Sequence, residues 1–522
     1  MNEEIEEYYE ELYRLYIDEN QPLERRYRQL RESLERVVRE KIQGNSLQTT
    51  DLAARINYVA TQYGLDLKEQ NQLHTFRLTS NDILNHRKSP VKEEFLRDLR
   101  AVAYAYRKMF AQDIPLKLFS VLPKQEIASS GKKEKMEYIR RIRVCFDYAD
   151  DTYLYVHPVD VIADELIRVV YNKPGINHEF EETIKELWRY AQLNLLDVSV
   201  DRDGIYTPSF IVLEPDYLID ISSLAECYKD YGSHPANYFL SRLVPIDNAR
   251  PLLLGNIANL FLDEWIHAGE EEPDYIDCMK KAFRQYPIEL AACAELRDPS
   301  KEKEFAKDCR MHFEHIRDVV QHTFLEPGYN LDKKEAVLEP SYICEALGIQ
   351  GRLDYMQRDM SSFIEMKSGK ADEFSMQGKV EPKENNKVQM LLYMAVLEYS
   401  MGQDRRRMHP YLLYTRYPLL YPARASWAQV RRVINLRNRI VAAEYGVQFH
   451  NHPDFTRNLL AQINPEVVNE RKLSGRFWEQ YLKPSISRFR EKLSALEPLE
   501  QAYFYTLYNF ITKELYTSKS GD

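Results

Sequence analysis

The stretch GRLDYMQRDMSSFIEMKSGKA, from Gly351 to Ala371, constrains the fold more than any other. Two runs with apolar flanks, IQGRLDYM and SSFIEMK, are joined by the polar turn QRDMS, the pattern of two neighbouring strands. Into this hairpin the chain places Asp354, Glu365 and Lys367. Side chains alternate along a strand, so Glu365 and Lys367 share a face, and Asp354 can lie beside Glu365 across an antiparallel pair. An acid in an apolar setting costs free energy unless something pairs with it. Two adjacent carboxylates repel unless a cation neutralises them. Mg²⁺ or Mn²⁺ suits such a pair, because a hard cation takes oxygen ligands and is often held by one or two carboxylates plus substrate phosphate and water. Lys367 then lies where it can hold or activate a water for attack on a phosphodiester.

Other residues fit the same site. The segment ENNKVQMLLYMAVLEY reads as an amphipathic helix with Gln389 and Tyr393 one turn apart on one face, able to orient the lysine or touch a nucleic-acid backbone. Glu339, in AVLEPSYICEALGIQG, precedes the strand that leads to Asp354 and is a further candidate carboxylate. Plainer readings exist for each piece. Asp354 can pair with Arg352, Glu365 and Lys367 can form an exposed cross-strand ion pair of little value, and Gln389 and Tyr393 can be ordinary helix surface.

The rest of the chain sets bounds. Its 522 residues exceed one typical core and predict roughly three domains. The net charge of −10 implies no global attraction to nucleic acid, so such a partner must be held by local basic groups. Candidates are Lys370, Lys379, Lys383, Lys387 and Arg405 to Arg407. The six cysteines form no C-x-x-C pair, which argues against a zinc ribbon or dithiol site. The N-terminus MNEEIEEYYEE lacks the apolar core of a signal peptide. The most apolar stretch, PLLLGNIANLFLDEWI, is too short and too polar to span a membrane. These features predict a cytoplasmic protein without membrane contact.

Four regions emerge along the chain. Residues 1–130 read as helical, with apolar residues three and four apart in LERRYRQLRESLERVVREKI and with Arg25, Arg26, Arg28 and Arg31 on a solvated face. Ser80 or Asn81 is the expected cap of a short helix. Residues 131–215 form a small β-containing element, in which YIRRIRVCFDY and TYLYVHPV alternate with period two. Residues 216–445 mix strands and helices around the hairpin, and 446–522 return to a helical pattern. The fold class expected is therefore α/β or α+β.

Taken together, Gly351-Arg-Leu-Asp354, Glu365-Met-Lys367-Ser-Gly369 and Gln389-x-x-x-Tyr393 resemble the RecB-type branch of the PD-(D/E)XK nucleases. Within it they look most like the nuclease half of the DNA replication ATP-dependent helicase/nuclease family. VLEPDYLIDISSLAEC, LLLGNIANLFLDEWI, LEPSYICEALGIQGRLD and VINLRNRIVAAE resemble further segments of that nuclease, so that the likeness covers roughly 210–445.

The resemblance implies a restriction-endonuclease-like core, a mixed sheet flanked by helices, in a metal-dependent nuclease of single-stranded DNA ends or flaps. Carried over, Asp354 and Glu365 are metal ligands, Lys367 is the catalytic lysine, and Glu339, Gln389 and Tyr393 are accessory. Arg437, in LRNR, contacts the strand or braces the core, with bracing the favoured role. Two departures stand out. The family's helix carries a metal-binding histidine where this chain has Asn259, a neutral and weaker ligand. His312, His315 and His322 lie nearby as substitutes, with surface or packed histidines the favoured reading. Many relatives also hold an iron–sulfur cluster on four cysteines; here Cys227 matches the first, and no cysteine follows Cys344, so no cluster is expected. The family's helicase motor needs a phosphate-binding loop that is absent, which places a motor in a longer chain or a separate protein. A rival reading is a nucleic-acid-binding module or scaffold with weakened catalysis.

Overall fold

The structure is a computed structural model and describes residues 2–42, 52–123, 137–159, 166–201, 203–243, 250–329, 331–371, 381–423 and 426–520. Two compact units divide the chain: Met1–Pro215 with Val441–His452 and Asn509–Asp522, and Asp216–Ile440 with Pro453–Tyr508. Among the described residues no helix is long and apolar enough to cross a membrane. Much of the Gly/Ser/Lys segment near 124–136 and most of the loop after Lys370, including Lys379, lie outside the described residues.

The first unit begins with helices α1 (Asn2–Ile17), α2 (Leu23–Ile42), α3 (Leu52–Gln62), α4 (Leu67–Leu84) and α5 (Lys92–Phe110). On α2 the buried residues Tyr27, Leu30, Leu34, Val37 and Val38 fall three and four apart, which turns one stripe into a shared core with α1 and α3 to α5. Arg26 departs from the solvated face expected of it. It is buried, and its guanidinium donates to the carbonyl oxygens of Leu15 (2.7 Å) and Tyr16 (3.1 Å), satisfying acceptors left open at the end of α1. Neither Ser80 nor Asn81 caps a helix, because both lie inside α4. The cap is Asp66, which forms a reciprocal capping box with Glu69.

The β-element is a closed sheet. Strands β1 (Glu137–Ala149), β2 (Tyr153–Pro158), β3 (Ile167–Val170), β4 (Gln192–Val200), β5 (Ile205–Thr207) and β6 (Phe210–Leu213) run in the order β1-β2-β3-β5-β4-β6, with β1 also paired to β4. The long first strand permits this: Glu137–Cys145 pair with β4 and Val144–Ala149 with β2, across a bulge between Phe146 and Tyr148. Ile142, Val144, Phe146, Leu154, Val156, Val169, Leu193 and Leu195 take alternate positions along their strands and are buried.

In the second unit, β7 (Ile219–Asp220), β10 (Ile349–Arg352) and β9 (Ser341–Cys344) form a three-stranded sheet. Strands β8 (Ala336–Leu338), β11 (Tyr355–Gln357), β12 (Ser362–Lys367), β13 (His409–Tyr414) and β14 (Leu419–Pro422) form a mixed sheet ordered β14-β13-β12-β11-β8. The run IQGRLDYM is thus two strands in two sheets rather than one, with Leu353 and Asp354 at the crossing. Strand β12 is antiparallel to β11 and parallel to β13, and Ser362 to Met366 are all buried, as a central strand requires. The parallel step from β12 to β13 passes through the helix Glu384–Met401. That helix is not amphipathic: every residue from Val388 to Leu397 is buried.

Arg437 sits fully buried in this unit and does not present itself to a nucleic acid. Its Nε donates to Gly348 O (3.1 Å) and its Nη2 to Tyr217 O (2.6 Å), tying the turn before β10 to the segment before β7. Gly348 has φ +64°, and a Cβ there would collide with the guanidinium. Arg437→Ala therefore leaves a cavity and removes two charge-assisted hydrogen bonds to backbone carbonyls, and is expected to destabilise the protein by roughly 3 kcal/mol. Gly348→Ala should destabilise it as well, as checked by urea unfolding of both variants.

Candidate active site

The site forms where β12 ends. Glu365 and Lys367 project from the same face of that strand, and Lys367 Nζ donates to Glu365 Oε1 at 2.9 Å. One strand away, Asp354 follows the crossing between the two sheets, and its Oδ2 accepts the backbone N–H of Met366 at 2.6 Å. This amide bond holds the Asp354 carboxyl against β12. Glu339 enters from the end of β8, where its N–H donates to Asp354 O at 3.1 Å. Its backbone has φ +49°, a left-handed conformation costly for a glutamate and of the kind that collects at functional sites.

The helix behind β12 completes the cluster. Gln389 Oε1 accepts from Lys367 Nζ at 2.8 Å, and Gln389 Nε2 donates to Glu365 Oε1 at 2.6 Å and to Ser222 Oγ at 3.3 Å. One turn on, Tyr393 donates to Arg352 O at 2.5 Å. Gly351 leaves room for that ring, since a Cβ would come within 3.1 Å of the Tyr393 hydroxyl and 3.0 Å of Ile221 Cδ1. Gln389 and Tyr393 are thus interior residues, not helix surface.

The electrostatics are unusual for a resting carboxylate pair. Glu365 is only 4% exposed, and its Oε2 has no hydrogen-bond partner. Burial, and then the charge of Asp354, push its carboxyl up to about 8 against the pull of Lys367. Asp354 is also raised, first by burial and further by Glu339, while the Met366 amide and Lys367 oppose the shift. Arg352 pairs with Glu339 (3.2 Å).

One carboxylate escaped the sequence reading. Asp263, on the helix Arg250–His267, is pushed up to about 6 by burial and then by Glu339, with Asp354 adding to the shift. It lies one turn beyond Asn259 and two beyond Gly255. Gly255 lets the helix approach the end of β12, where a Cβ would come within 3.3 Å of Ser368 Oγ. The spacing Gly255-x-x-x-Asn259-x-x-x-Asp263 was the available signal. Asn259 is half-buried and makes no hydrogen bond to Asp354 or Glu365.

The other candidates spread out. Lys370 is exposed just beyond β12, and Lys387 is half-buried, 3.9 Å from Glu381. His312 is fully buried, with burial pulling its imidazole down to about 4, and His315 Nδ1 lies 3.0 Å from Thr415 O. Neither is hydrogen-bonded to the carboxylates. Cys227 is a buried thiol whose proton burial retains, pushed up to about 12. Among the described residues, no group of three or more His, Cys, Asp or Glu side chains is gathered closely enough to hold a metal ion. A divalent ion would therefore depend on the Asp354–Glu365 pair and on water or phosphate oxygens. Compared with known proteins, the chain matches no family model and no curated protein at a significant level.

The Glu365 shift carries a pH dependence. The folded state holds this proton far more tightly than an unfolded glutamate, which titrates near 4.5. The contribution of this group to metal-free stability is therefore fully present below that range and is lost as the pH rises towards 8, by roughly 1.4 kcal/mol per unit of displacement. Glu365→Gln should flatten this slope and raise the metal-free melting temperature at pH 8. Mn²⁺ should stabilise the unmutated protein more at pH 8 than at pH 5, and Glu365→Gln should abolish that gain. Thermal unfolding of both proteins at the two pH values reads these differences.

Proposed function

We propose that the chain is a divalent-metal-dependent nuclease that hydrolyses phosphodiester bonds of single-stranded DNA ends or flaps, its mixed sheet serving as a PD-(D/E)XK-type core. The observation that carries this reading is the buried, unpartnered Oε2 of Glu365 beside the Asp354 carboxyl, with the Lys367 ammonium 2.9 Å from the other Glu365 oxygen. A purely structural ion pair would satisfy both oxygens. Here one oxygen is left without a partner in a site that also feels the charge of Asp354, which fits a cation better than a lysine alone.

The donor set suits Mg²⁺ or Mn²⁺, because Asp354 and Glu365 offer hard oxygens. When bound, such an ion supplies Lewis acidity at the phosphoryl oxygen and the charge that lets both acids ionise. The chain's own groups do the rest. Lys367, fixed by Gln389 and Glu365, donates a hydrogen bond to the attacking water and offsets negative charge that builds on the phosphate. Gln389 keeps the ammonium aimed, and Tyr393 holds the strand crossing that presents Asp354. Lys370, exposed just beyond β12, would meet a backbone phosphate, and a helicase motor in a longer chain or a separate protein would feed the strand.

Asn259 favours a second reading, a nucleic-acid-binding module with weakened catalysis, since a neutral amide stands where the resembling family has a ligand. Labelled single strands incubated with Mn²⁺ or Mg²⁺ separate the two. The nuclease reading predicts cutting that falls at least roughly 100-fold in Lys367→Ala and in Asp354→Ala, with strand binding retained. Intact strands with every metal, together with retained binding, would favour the module.

A further inference from the structure

The barrel of the first unit has an order of its own to explain. Its strands close as β1-β2-β3-β5-β4-β1, with β3 parallel to β5 and the short helix Glu181–Lys185 between β3 and β4. This is the arrangement of the oligonucleotide- and oligosaccharide-binding barrel, whose ligands lie across strands 2 and 3 between the loops that join strands 1 to 2 and 4 to 5. The other end of the β1–β2 pair, where Cys145 lies opposite His157, is already used. Cys145, Val159 and Tyr190 are buried in the core of the helical bundle.

On the ligand side of such a barrel, this chain presents aromatic rings. The register sets Tyr148 on β1 opposite Tyr155 on β2, and Tyr155 opposite Arg168 on β3. The Tyr148 and Tyr155 rings lie parallel, 13° apart in plane, with centroids separated by 4.3 Å. Tyr153 meets Tyr155 edge-on at 6.5 Å, and the Arg168 guanidinium lies 5.9 Å from the Tyr153 ring. Tyr148 is 49% exposed, although the outside of a small barrel has no packing reason to display tyrosines in a row.

We propose that this outer face of β1, β2 and β3 is a stacking platform for a single-stranded nucleic acid. Bases have flat faces that tyrosine rings accept without regard to sequence. Arg168 and the exposed Lys173, just beyond β3, supply the positive charge for one or two phosphates. The nearby acids keep their charge: Asp151 is exposed, Asp147 pairs with Arg189, and two others accept turn amides. Asp150 accepts from the Thr152 and Tyr153 amides and the Tyr155 hydroxyl, and Asp201 accepts from the Asp203 and Ile205 amides. With so few cations and acids this close, stacking rather than phosphate attraction dominates. The affinity should therefore depend only weakly on salt, with a slope no steeper than about −1.5 for two phosphates. The platform stands apart from the nuclease reading, and either can fail without the other.

The test uses the full chain carrying Lys367→Ala, without divalent ions, irradiated with oligomers containing 5-iododeoxyuridine, and locates crosslinked peptides by mass spectrometry. Crosslinks at Tyr148, Tyr153 or Tyr155 are expected. In anisotropy titrations of labelled oligo-dT, Tyr148→Ala with Tyr155→Ala should weaken binding roughly tenfold, whereas Tyr148→Phe, which keeps the ring, should not. Crosslinks confined to residues 216–440 would overturn the proposal. So would unchanged affinity in a double variant with unaltered unfolding, or a platform that binds lysine-rich peptides but no oligomer.

Discussion

A carboxyl group with one oxygen satisfied and the other stranded in the interior governs the second unit. Glu365 Oε1 receives Lys367 and Gln389, whereas Oε2 receives nothing and lies beside a second acid. Leaving a buried acceptor unpaired costs about 1–3 kcal/mol, and Asp354 adds repulsion once both groups ionise. The surrounding structure must over-determine the position to hold it. Strand β12 does so by lying between β11 and β13 with the interior helix Glu384–Met401 packed against the sheet, so neither the strand nor Gln389 can turn away.

The site also depends on where the chain changes sheets. Residues 349–352 belong to one sheet and 355–357 to another, and Asp354 lies in the gap. The crossing is pinned from several sides: Leu353 N–H donates to Pro340 O, Glu339 N–H to Asp354 O, and Tyr393 to Arg352 O. Two glycines make this possible, Gly351 by admitting the Tyr393 hydroxyl and Gly348 by adopting a left-handed turn over Arg437. A side chain at either would push a bracing group aside, and the displacement would reach the carboxylates. The buried Arg437 thus acts on the site only through the backbone it holds.

Much of this was legible in the amino-acid order, for identifiable reasons. Period-two alternation puts Glu365 and Lys367 on one face, and the helical repeat puts Gln389 and Tyr393 on another, so local geometry alone suggests the cluster. What escaped depends on tertiary context. Nothing in IQGRLDYM marks the switch of sheets, because both halves are apolar and strand-like. The helix Glu384–Met401 looked amphipathic, but its polar residues Asn386 and Gln389 are buried with partners of their own. Arg26 reads as one more solvated charge until a neighbouring helix end needs a donor. Asp263 sits in plain helical spacing from Asn259, yet its raised proton affinity comes from burial and from Glu339 and Asp354, which are distant in sequence. The barrel was visible as alternating strands, but its closure rests on one long bulged strand pairing twice, a non-local fact.

The central claim is that Asp354 and Glu365 share a divalent cation, and crystals soaked in Mn²⁺ test it most directly. The account predicts an anomalous peak between the two carboxylates, with Mn–O distances of about 2.1–2.3 Å and Lys367 facing a bound water rather than bridging both acids. A map with no peak there, or with the Lys367 ammonium lodged between Asp354 and Glu365 at saturating Mn²⁺, would contradict it.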